Sequence, residues 1–479
     1  MVASQARVIE ELSRTVERLT ARVAELERQL GRNSGNSSMP PSTDDLPGHT
    51  QPAEKPQPGK GPKRKQGKQR GAPGANLAWS ENPDETVDHY PTGPCGCGAD
   101  LAAATDVGVA ASHQEHDIPQ VSAIVRQHDR HRMRCGCGAE HVAPVPDGVA
   151  NSPTSYGVNL QALCVLLLVV HAVPVHRCAQ LIAAITGATP SPGFVHSMLK
   201  RAYAALGEVD ARIRTLVTLA YAVCCDETPL RVGPKKMRRY LLVACTELYT
   251  YYMLGDRSMD TFKAFLLPEL TGVIVHDRYT VYDSDKITQV RVDSGLAALV
   301  HQLCTAHLLR DLAAVAEAHP DEHWPIQIAD ALRGLIHAAN TAREAGADSM
   351  DASVRDKLIT LFRQGVLVGL KDIPRIAGSG KQPDFRLLLE VLHDREDDVL
   401  RFAHDLRVPP TSNSAERDLR PSKTQQKISG RLRSEAVTKY RYRIASYTST
   451  ATKHGTEVFQ ALRELLLGRP WMPTLPATA

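Results

Sequence analysis

Apolar side chains recur at heptad spacing through residues 7–31, and arginine and glutamate lie between them. β-Branched residues fill most of one seam position and leucine fills the other, a choice that favours a parallel two-stranded coiled coil. The seam consists of Ile9, Leu12, Val16, Leu19, Val23, Leu26 and Leu30. The alternative is an amphipathic helix that packs on the protein's own body. We predict a coiled coil over residues 1–33 that joins two chains into a homodimer.

The hydrophobic pattern stops after residue 33, and large apolar side chains are almost absent from residues 34–78. A segment rich in Ser, Asn, Pro, Gly and Lys cannot bury enough apolar surface to order itself, so we predict a flexible linker. Lys63, Arg64 and Lys65 lie in a basic run that is nearly free of acidic residues. Clustered cations suit contacts with the phosphates of DNA, and a solubilising tether is the alternative.

A helical period appears within residues 151–215. One apolar helix stops before Pro174, a second ends at Gly187, and Ser191 is placed to cap a third. Short helices in this order suggest a helix-turn-helix-like module, with residues 191–201 as the recognition helix. The alternative is an ordinary layer of packed helices, because the third helix offers only two cations.

From about residue 216 the spacing of apolar residues changes from that of helices to that of β-strands, and short apolar runs follow one another. Neighbouring strands that then alternate with helices predict an α/β domain with a mixed sheet, which we place at residues 216–470. Residues 308–405 return to a helical pattern. We therefore predict a helical insertion, at about residues 320–405, after the last strand.

The length of 479 residues and an apolar content of 42% allow several domains with real cores, so we predict a multidomain protein. No signal peptide is visible, and the longest apolar run, residues 162–170, is shorter than the about 20 residues that cross a bilayer. The ten cysteines comprise two tight pairs and six single residues, which is not a secreted disulfide framework. These features predict a cytoplasmic protein without a membrane partner.

Two copies of a Cys-Gly-Cys-Gly-Ala sequence lie within residues 79–150. Glycine lets backbone amides turn toward thiolates, and paired cysteines in a reducing compartment are typical of zinc sites. The four cysteines are Cys95, Cys97, Cys135 and Cys137. We predict that they bind one structural Zn²⁺ ion in a zinc-ribbon-like DNA-binding module. Metal-free turns and redox-active cysteines are the alternatives.

Two candidate strands, residues 113–119 and 122–135, lie between the cysteine pairs. They predict a hairpin that joins one pair to the other. Arg130, Arg132 and Arg134 make the second candidate strand cationic. We therefore predict that these three arginines contact the DNA backbone.

Two aspartates follow short apolar runs at the ends of predicted strands, and a glutamate opens a very basic helical segment. They are Asp226, Asp277 and Glu416. A site that transfers phosphoryl groups with two Mg²⁺ ions needs such residues, since Mg²⁺ prefers oxygen ligands. A single carboxylate is usually a solvated surface acid. Close carboxylates repel each other, so we expect at least one raised pKa in the absence of metal.

Five stretches of the chain resemble a known family. They are DETP at 226–229, HDRYTVYD at 276–283, CTAHLLRDL at 304–312, NSAERDLRPSKTQQKISGRLRS at 413–434 and LGRNSGNSSMPPSTDD at 30–45. On these motifs the chain is similar, nearly end to end, to the DDE transposases of the insertion-sequence-sixty-six (TnpC-type) family. The resemblance implies an RNase H-like fold for the α/β domain and a bacterial protein that works on the nucleoid. The family usually has two residues between the paired cysteines, where this chain has one.

The resemblance also implies roles for single residues. Asp226 would hold both Mg²⁺ (or Mn²⁺) ions, Asp277 one of them and Glu416 the other. His307 would contact DNA or orient a carboxylate, and Arg310, one helical turn on, would face the same way. The residues expected to line the scissile phosphates are Asn413, Arg417, Arg420 and Lys423.

The implied function is that of a DNA transposase, which cuts at transposon ends and joins the freed 3′-hydroxyl to target DNA. Its partners would be terminal inverted repeats, target DNA and any accessory proteins of the same element. One alternative is an RNase H-like nuclease without strand transfer, which would need neither a zinc module nor a coiled coil. The other is a catalytically silent DNA-binding protein derived from a transposase, against which the intact set of three carboxylates argues.

Overall fold

The computed structural model describes residues 77–146, 148–149, 151–234, 237–376 and 382–475. The predicted coiled coil and nearly all of the predicted linker, with Lys63, Arg64 and Lys65, lie outside the described residues. The predicted homodimer and the DNA contacts of the linker therefore stay predictions. Residues 77–125 belong to one compact unit, and the described residues from 126 onward belong to another.

The first unit has little regular structure. A short 3-10 helix spans Leu101–Ala103. The predicted strand at residues 113–119 is wrong, because no strand forms in this stretch of the described chain. Ile118 is its one large apolar residue and Pro119 ends it, so the segment has no apolar face to bury in a sheet.

The second unit begins with a hairpin. Strand β1 (Arg132–Arg134) pairs antiparallel with strand β2 (Glu140–Val142). The predicted strand at 122–135 is thus confirmed only near its end, and the predicted hairpin between the cysteine pairs is wrong. The hairpin encloses the second pair instead. Glu140 accepts hydrogen bonds from both arginines of β1, at 2.8 and 2.6 Å, so the strands are joined by ion pairs as well as by the backbone.

Among the described residues, five strands form one mixed sheet in the order β5-β4-β3-β6-β7. They are β3 (Ala222–Leu230), β4 (Arg239–Cys245), β5 (Thr250–Gly255), β6 (Val273–His276) and β7 (Val300–Leu303). Strands β3, β4 and β5 pair antiparallel, whereas β6 is parallel to β3 and β7 is parallel to β6. The prediction of an α/β architecture with a mixed sheet is confirmed. The strand order is consistent with the RNase H-like fold that the resemblance implies.

In the described part of the chain, four α-helices precede the five-stranded sheet. They are α1 (Val158–Val169), α2 (Val175–Thr186), α3 (Pro192–Ala205) and α4 (Gly207–Thr218). Their ends follow the predicted signals, since Gly187 closes α2 at φ 72° and the Ser191 hydroxyl accepts from the Phe194 amide at 3.1 Å. The packing of these four helices does not test contact with DNA, so the helix-turn-helix-like interpretation stays a prediction.

The remaining helices of the described chain separate or follow the later strands. They are α5 (Met259–Ala264), α6 (Asp285–Asp293), α7 (Thr305–Ala318), α8 (Trp324–Glu344), α9 (Ala352–Asp372), α10 (Asp384–Asp394), α11 (Glu396–His404), α12 (Asn413–Ser429), α13 (Glu435–Lys453) and α14 (Val458–Leu466). Helices α8 to α11 occupy the region of the predicted insertion. None of the helices described is long and apolar enough to cross a membrane.

The sheet separates two hydrophobic cores. The first core joins one face of the sheet to α1–α6, α13 and α14. The second core joins the opposite face to α7–α12. Side chains alternate between the two faces of the sheet along a strand, so neighbouring residues of one strand face different cores.

Candidate active site

Asp226 lies on β3, the central strand of the sheet. Cys225 packs in the first core and Cys224 in the second, so Asp226 faces the second core by alternation. The strand does not stop at Asp226 as the sequence predicts, because it continues to Leu230 while paired with β4 alone. Pro229 is tolerated there since β3 is an edge strand beyond the end of β6.

Asp277 directly follows β6, which runs parallel to β3. Val275 packs in the second core, so Asp277, two residues on, faces the same side of the sheet as Asp226. The Asp277 carboxylate accepts a hydrogen bond from the Tyr279 amide at 3.1 Å, which orients it at the strand end. The two aspartates therefore face the same helical layer.

Glu416 comes from the first turn of α12. The chain before this helix is bonded to the start of α7, where Thr305 donates from its amide and its hydroxyl to the Pro410 carbonyl at 3.0 and 2.9 Å. The Ser412 amide donates to the Cys304 sulfur at 3.2 Å. These bonds place the first turn of α12 against the first turn of α7.

Two cations of α7 face the Glu416 carboxylate, as their spacing of one helical turn predicts. The Arg310 guanidinium lies 3.3 Å from Glu416 Oε1, and His307 Nε2 lies 4.0 Å from the same oxygen. His307 also interacts electrostatically with Asp226 and Asp277. His307 thus interacts with all three carboxylates, which form the acidic cluster of this site.

Burial raises the pKa of Asp226 to about 7, and the nearby charges of Glu227 and Asp277 add to this effect. The Glu227 amide, which donates to Asp226 Oδ1 at 2.8 Å, and the His307 charge oppose it. The cluster is therefore short of positive charge near neutral pH. A divalent cation relieves this condition.

Burial alone would lower the pKa of His307, but its interaction with Cys304 and the charge of Asp277 raise it to about 9. His307 is therefore protonated at neutral pH, and it offers a cation to the acidic cluster. Burial would raise the pKa of Cys304, but the interaction with His307 lowers it.

Glu227 points away from this cluster, to the other face of the sheet. The Arg257 guanidinium lies 2.7 Å from Glu227 Oε1, and the Tyr282 hydroxyl donates to Oε2 at 3.0 Å. Burial raises the pKa of Glu227, and the charge of Asp277 adds to this. Glu227 has its own cationic partner, yet its charge still reaches Asp226.

The solvent-facing side of α12 is basic. The predicted phosphate contacts on this helix are all exposed. They are Asn413, Arg417, Arg420 and Lys423. Arg420 and Lys423 follow Glu416 along one face of the helix, and the exposed Lys427 continues this row. Lys427 is absent from the predicted contacts, and its helical spacing from Glu416 is the signal that identifies it.

An ion pair holds the buried side of α12. Lys453 Nζ lies 2.7 Å from Asp418 Oδ2, and the Thr250 hydroxyl donates to the same oxygen at 2.8 Å. Lys453 also donates to the carbonyls of Thr246 and Tyr249. The helix that bears Glu416 is therefore tied to β5 and to α13.

Each cysteine pair lies in the same tight turn within its own unit. The amide of the first cysteine donates to the carbonyl of the alanine four residues on, at 2.7 Å in one pair and 2.8 Å in the other. Gly98 and Gly138 both adopt φ 89°, a conformation that glycine takes without strain. Hydrogen bonds to the backbone lower the pKa of Cys97 and Cys135. All four thiols are exposed.

The three arginines predicted to contact DNA are exposed on and beside the hairpin of β1 and β2. Arg130 donates to the Ala143 carbonyl at 2.7 Å, and Arg132 and Arg134 bind Glu140. These contacts orient the arginines. Surface ion pairs of this kind are weak enough for a phosphate to displace.

Two family models match the chain. The model described as Transposase IS66 family matches residues 153–439, which is more than half of the chain. The model described as Family of unknown function (DUF6444) matches residues 3–78. No curated protein matches the chain significantly.

The mixed α/β fold and the first of these matches define the class of protein, which is a transposase and acts on DNA. The chain belongs to the IS66 transposase family. The resemblance that the sequence motifs indicate is thereby confirmed.

Proposed function

We propose that this protein is a Mg²⁺-dependent DDE transposase that cuts DNA at transposon ends and joins the freed 3′-hydroxyl to target DNA. The observation that supports this proposal is the interaction of His307 with Asp226, Asp277 and Glu416. The mixed sheet would then be the core of an RNase H-like catalytic domain.

The three carboxylates fit a pair of Mg²⁺ or Mn²⁺ ions. Oxygen donors are the ligands that these ions prefer, and the pKa of Asp226 is raised first by burial and then by the negative charges of Glu227 and Asp277. Asp226 would hold both ions, Asp277 one of them and Glu416 the other. Such ions, when bound, stabilise the charge on the reacting phosphate and lower the pKa of the attacking hydroxyl.

The protein's own side chains bind and orient the DNA in this proposal. Arg420, Lys423 and Lys427 form a row that leads away from Glu416, along which a sugar–phosphate backbone can lie. Arg310, at 3.3 Å, orients the Glu416 carboxylate. Protonated His307 offsets part of the negative charge that a scissile phosphate brings to the cluster.

DNA binding outside the catalytic cluster would use further cationic side chains and one asparagine. They are Lys63, Arg64, Lys65, Arg130, Arg132, Arg134, Asn413 and Arg417, where the last two flank the row on α12. The partners would be the terminal inverted repeats and the target DNA. Replacing Lys63 and Arg64 would weaken binding and flatten its dependence on salt.

The Asp226→Asn variant tests the catalytic assignment. Asparagine keeps the shape of the side chain and removes its charge, so we expect cleavage and joining of transposon-end DNA to be abolished while end binding stays nearly intact. Asp293→Asn, the same change at an exposed position of α6, should leave all three activities unchanged. The measurements are gel assays of cleavage, joining and binding with Mg²⁺.

Cleavage at a normal rate by Asp226→Asn would contradict the catalytic assignment. Cleavage without joining by the unmodified protein would identify the nuclease alternative. Binding without either reaction would identify the catalytically silent alternative.

We also propose that Cys95, Cys97, Cys135 and Cys137 bind one structural Zn²⁺ ion in a zinc-ribbon-like module. The identical turns of the two pairs and the lowered pKa values of Cys97 and Cys135 support this. Zinc analysis should show one equivalent more in the purified protein than in Cys97→Ser or in Cys137→Ser. Cys178→Ala, at a buried cysteine of α2, is the control and should keep the ion. Unchanged zinc in the two serine variants would contradict the proposal.

A further inference from the structure

Three potential metal ligands lie on the face of the sheet opposite the acidic cluster. His276 ends β6, and its side chain packs against Tyr282 of the first core with ring centroids 4.7 Å apart. His301 of β7 is paired with Ile274, a residue of the same core, so its ring leaves the sheet on the same side. Asp283 follows the loop that begins with Asp277.

The ligand atoms of this trio, His276, Asp283 and His301, are spaced as metal ligands are. His276 Nε2 lies 3.0 Å from His301 Nδ1, and His301 Nδ1 lies 3.5 Å from Asp283 Oδ1. All three atoms lie within 4.8 Å of one another. Ligands at about 2.0–2.2 Å from a tetrahedral Zn²⁺ ion are themselves roughly 3.3–3.5 Å apart, so little movement is needed to enclose an ion.

The surroundings of the trio suit a buried transition-metal site. The side chain of His276 is fully buried, that of His301 is 15% exposed, and that of Asp283 is 30% exposed, so the trio opens to solvent on the carboxylate side. His276 Nε2 and His301 Nδ1 share one hydrogen bond at 3.0 Å, so at least one of these two nitrogens presents a lone pair. An ion could enter past Asp283 and reach two nitrogen ligands.

Arg395 supports the carboxylate from outside the trio. Its guanidinium donates to both oxygens of Asp283, at 2.8 and 2.9 Å, and also contacts Asp398 at 2.9 Å. Each carboxylate oxygen has a second lone pair, so Asp283 Oδ1 can bind a cation while Arg395 holds its orientation. The Asp398 charge offsets that of the guanidinium.

We propose that His276, Asp283 and His301 bind one Zn²⁺ ion, or a divalent transition metal of similar preference, at a site separate from the catalytic cluster. Two imidazole nitrogens and one carboxylate oxygen favour such an ion over Mg²⁺, which prefers oxygen. The ion would join the ends of β6 and β7 to the loop 277–283. This inference does not rest on the proposed DNA chemistry.

Zinc analysis of full-length variants tests the site. The background protein carries Cys97→Ser and Cys137→Ser, which remove the proposed ribbon ion. Excess Mg²⁺ is added so that it occupies the carboxylates of the acidic cluster. We expect this protein to keep one equivalent of Zn²⁺, and the further change His301→Gln or Asp283→Asn to lose it. His393→Gln, at an exposed histidine of α10, is the matched control and should keep it.

Two further measurements distinguish the loss of the ion from a general loss of folding. Added Zn²⁺ should raise the melting temperature of the background protein and of the control but not that of Asp283→Asn, whose side chain is the most exposed of the trio. Co²⁺ at this site should give visible absorption without the sulfur-to-metal band that a cysteine site shows. The proposal is overturned if the background protein binds no Zn²⁺, or if both substituted proteins bind as much as the control.

Discussion

The surroundings of Asp226 disfavour its charged form. Its pKa of about 7 lies above the value of roughly 3.9 for an aspartate in an unfolded chain. Between these two values the folded protein binds more protons than the unfolded protein. The contribution of Asp226 to the free energy of unfolding should therefore fall as the pH rises from about 4 to about 7 in the absence of metal.

The same Asp226→Asn variant should be more stable than the unmodified protein when no metal is present. The gain in the free energy of unfolding should reach at most roughly 4 kcal/mol at pH 8, shrink as the pH is lowered, and vanish below about pH 4. Urea unfolding with a chelator at pH 8 and pH 5 measures this difference. Exposed Asp293→Asn should show no such pH dependence, and a variant less stable than the unmodified protein at pH 8 would refute the argument.

The candidate acidic residues could be selected from the sequence because each stands next to a local pattern. Asp226 and Asp277 follow apolar runs, and Glu416 opens a basic helix. Partners that are distant along the chain leave no such pattern. Nothing in the local sequence indicates that Arg257 binds Glu227, or that His301 lies 3.0 Å from His276.

Elements with a strong period were predicted closely, because periodic burial is what forms them. The ends of α2 and α3 agree with their glycine and serine signals. The end of β3 was not predictable, since the strand continues past Asp226 only because β4 pairs with it up to Leu230. The stretch 113–119 shows the opposite case, in which a segment with one large apolar residue and no periodic apolar face forms no strand.

Helix α12 depends on the ion pair between Lys453 and Asp418, and Lys453→Met tests this dependence. The change leaves a largely buried carboxylate without its cation, so we expect a loss of about 3 kcal/mol in the free energy of unfolding. The helix that bears Glu416 would also be less well fixed, so cleavage should slow more than DNA binding weakens. Urea unfolding and the two DNA assays measure these effects.

The control for this change is Lys439→Met, which lies on α13 as Lys453 does. Lys439 forms an exposed pair with Glu435, 3.3 Å away, so its loss should cost less than about 1 kcal/mol. Equal losses in the two variants would show that the buried pair does not fix α12.

At the scale of the whole molecule, assembly is expected to depend on the seam of residues 9–30. Light scattering should give the full-length chain twice the mass of its sequence, and a chain that begins at Asn33 the mass of one copy. Leu19→Asp places a charge in the seam and should also give the mass of one copy. Arg18→Asp, outside the seam, should leave the dimer intact. Equal masses for the full-length and shortened chains would show that this helix does not join the two copies.

The separation of the acidic residues along the chain also has a consequence in time. Glu416 is translated 190 residues after Asp226 (416 − 226), an interval of roughly 10–40 s at about 5–20 residues per second. Contacts from Thr305, Cys304 and Lys453 hold α12 and the chain before it, and Lys453 is translated later than Glu416. A growing chain on the ribosome therefore contains both aspartates well before it can assemble the full cluster. The proposed DNA cutting would begin only after synthesis has passed α13, so an interrupted translation product would be unable to cut.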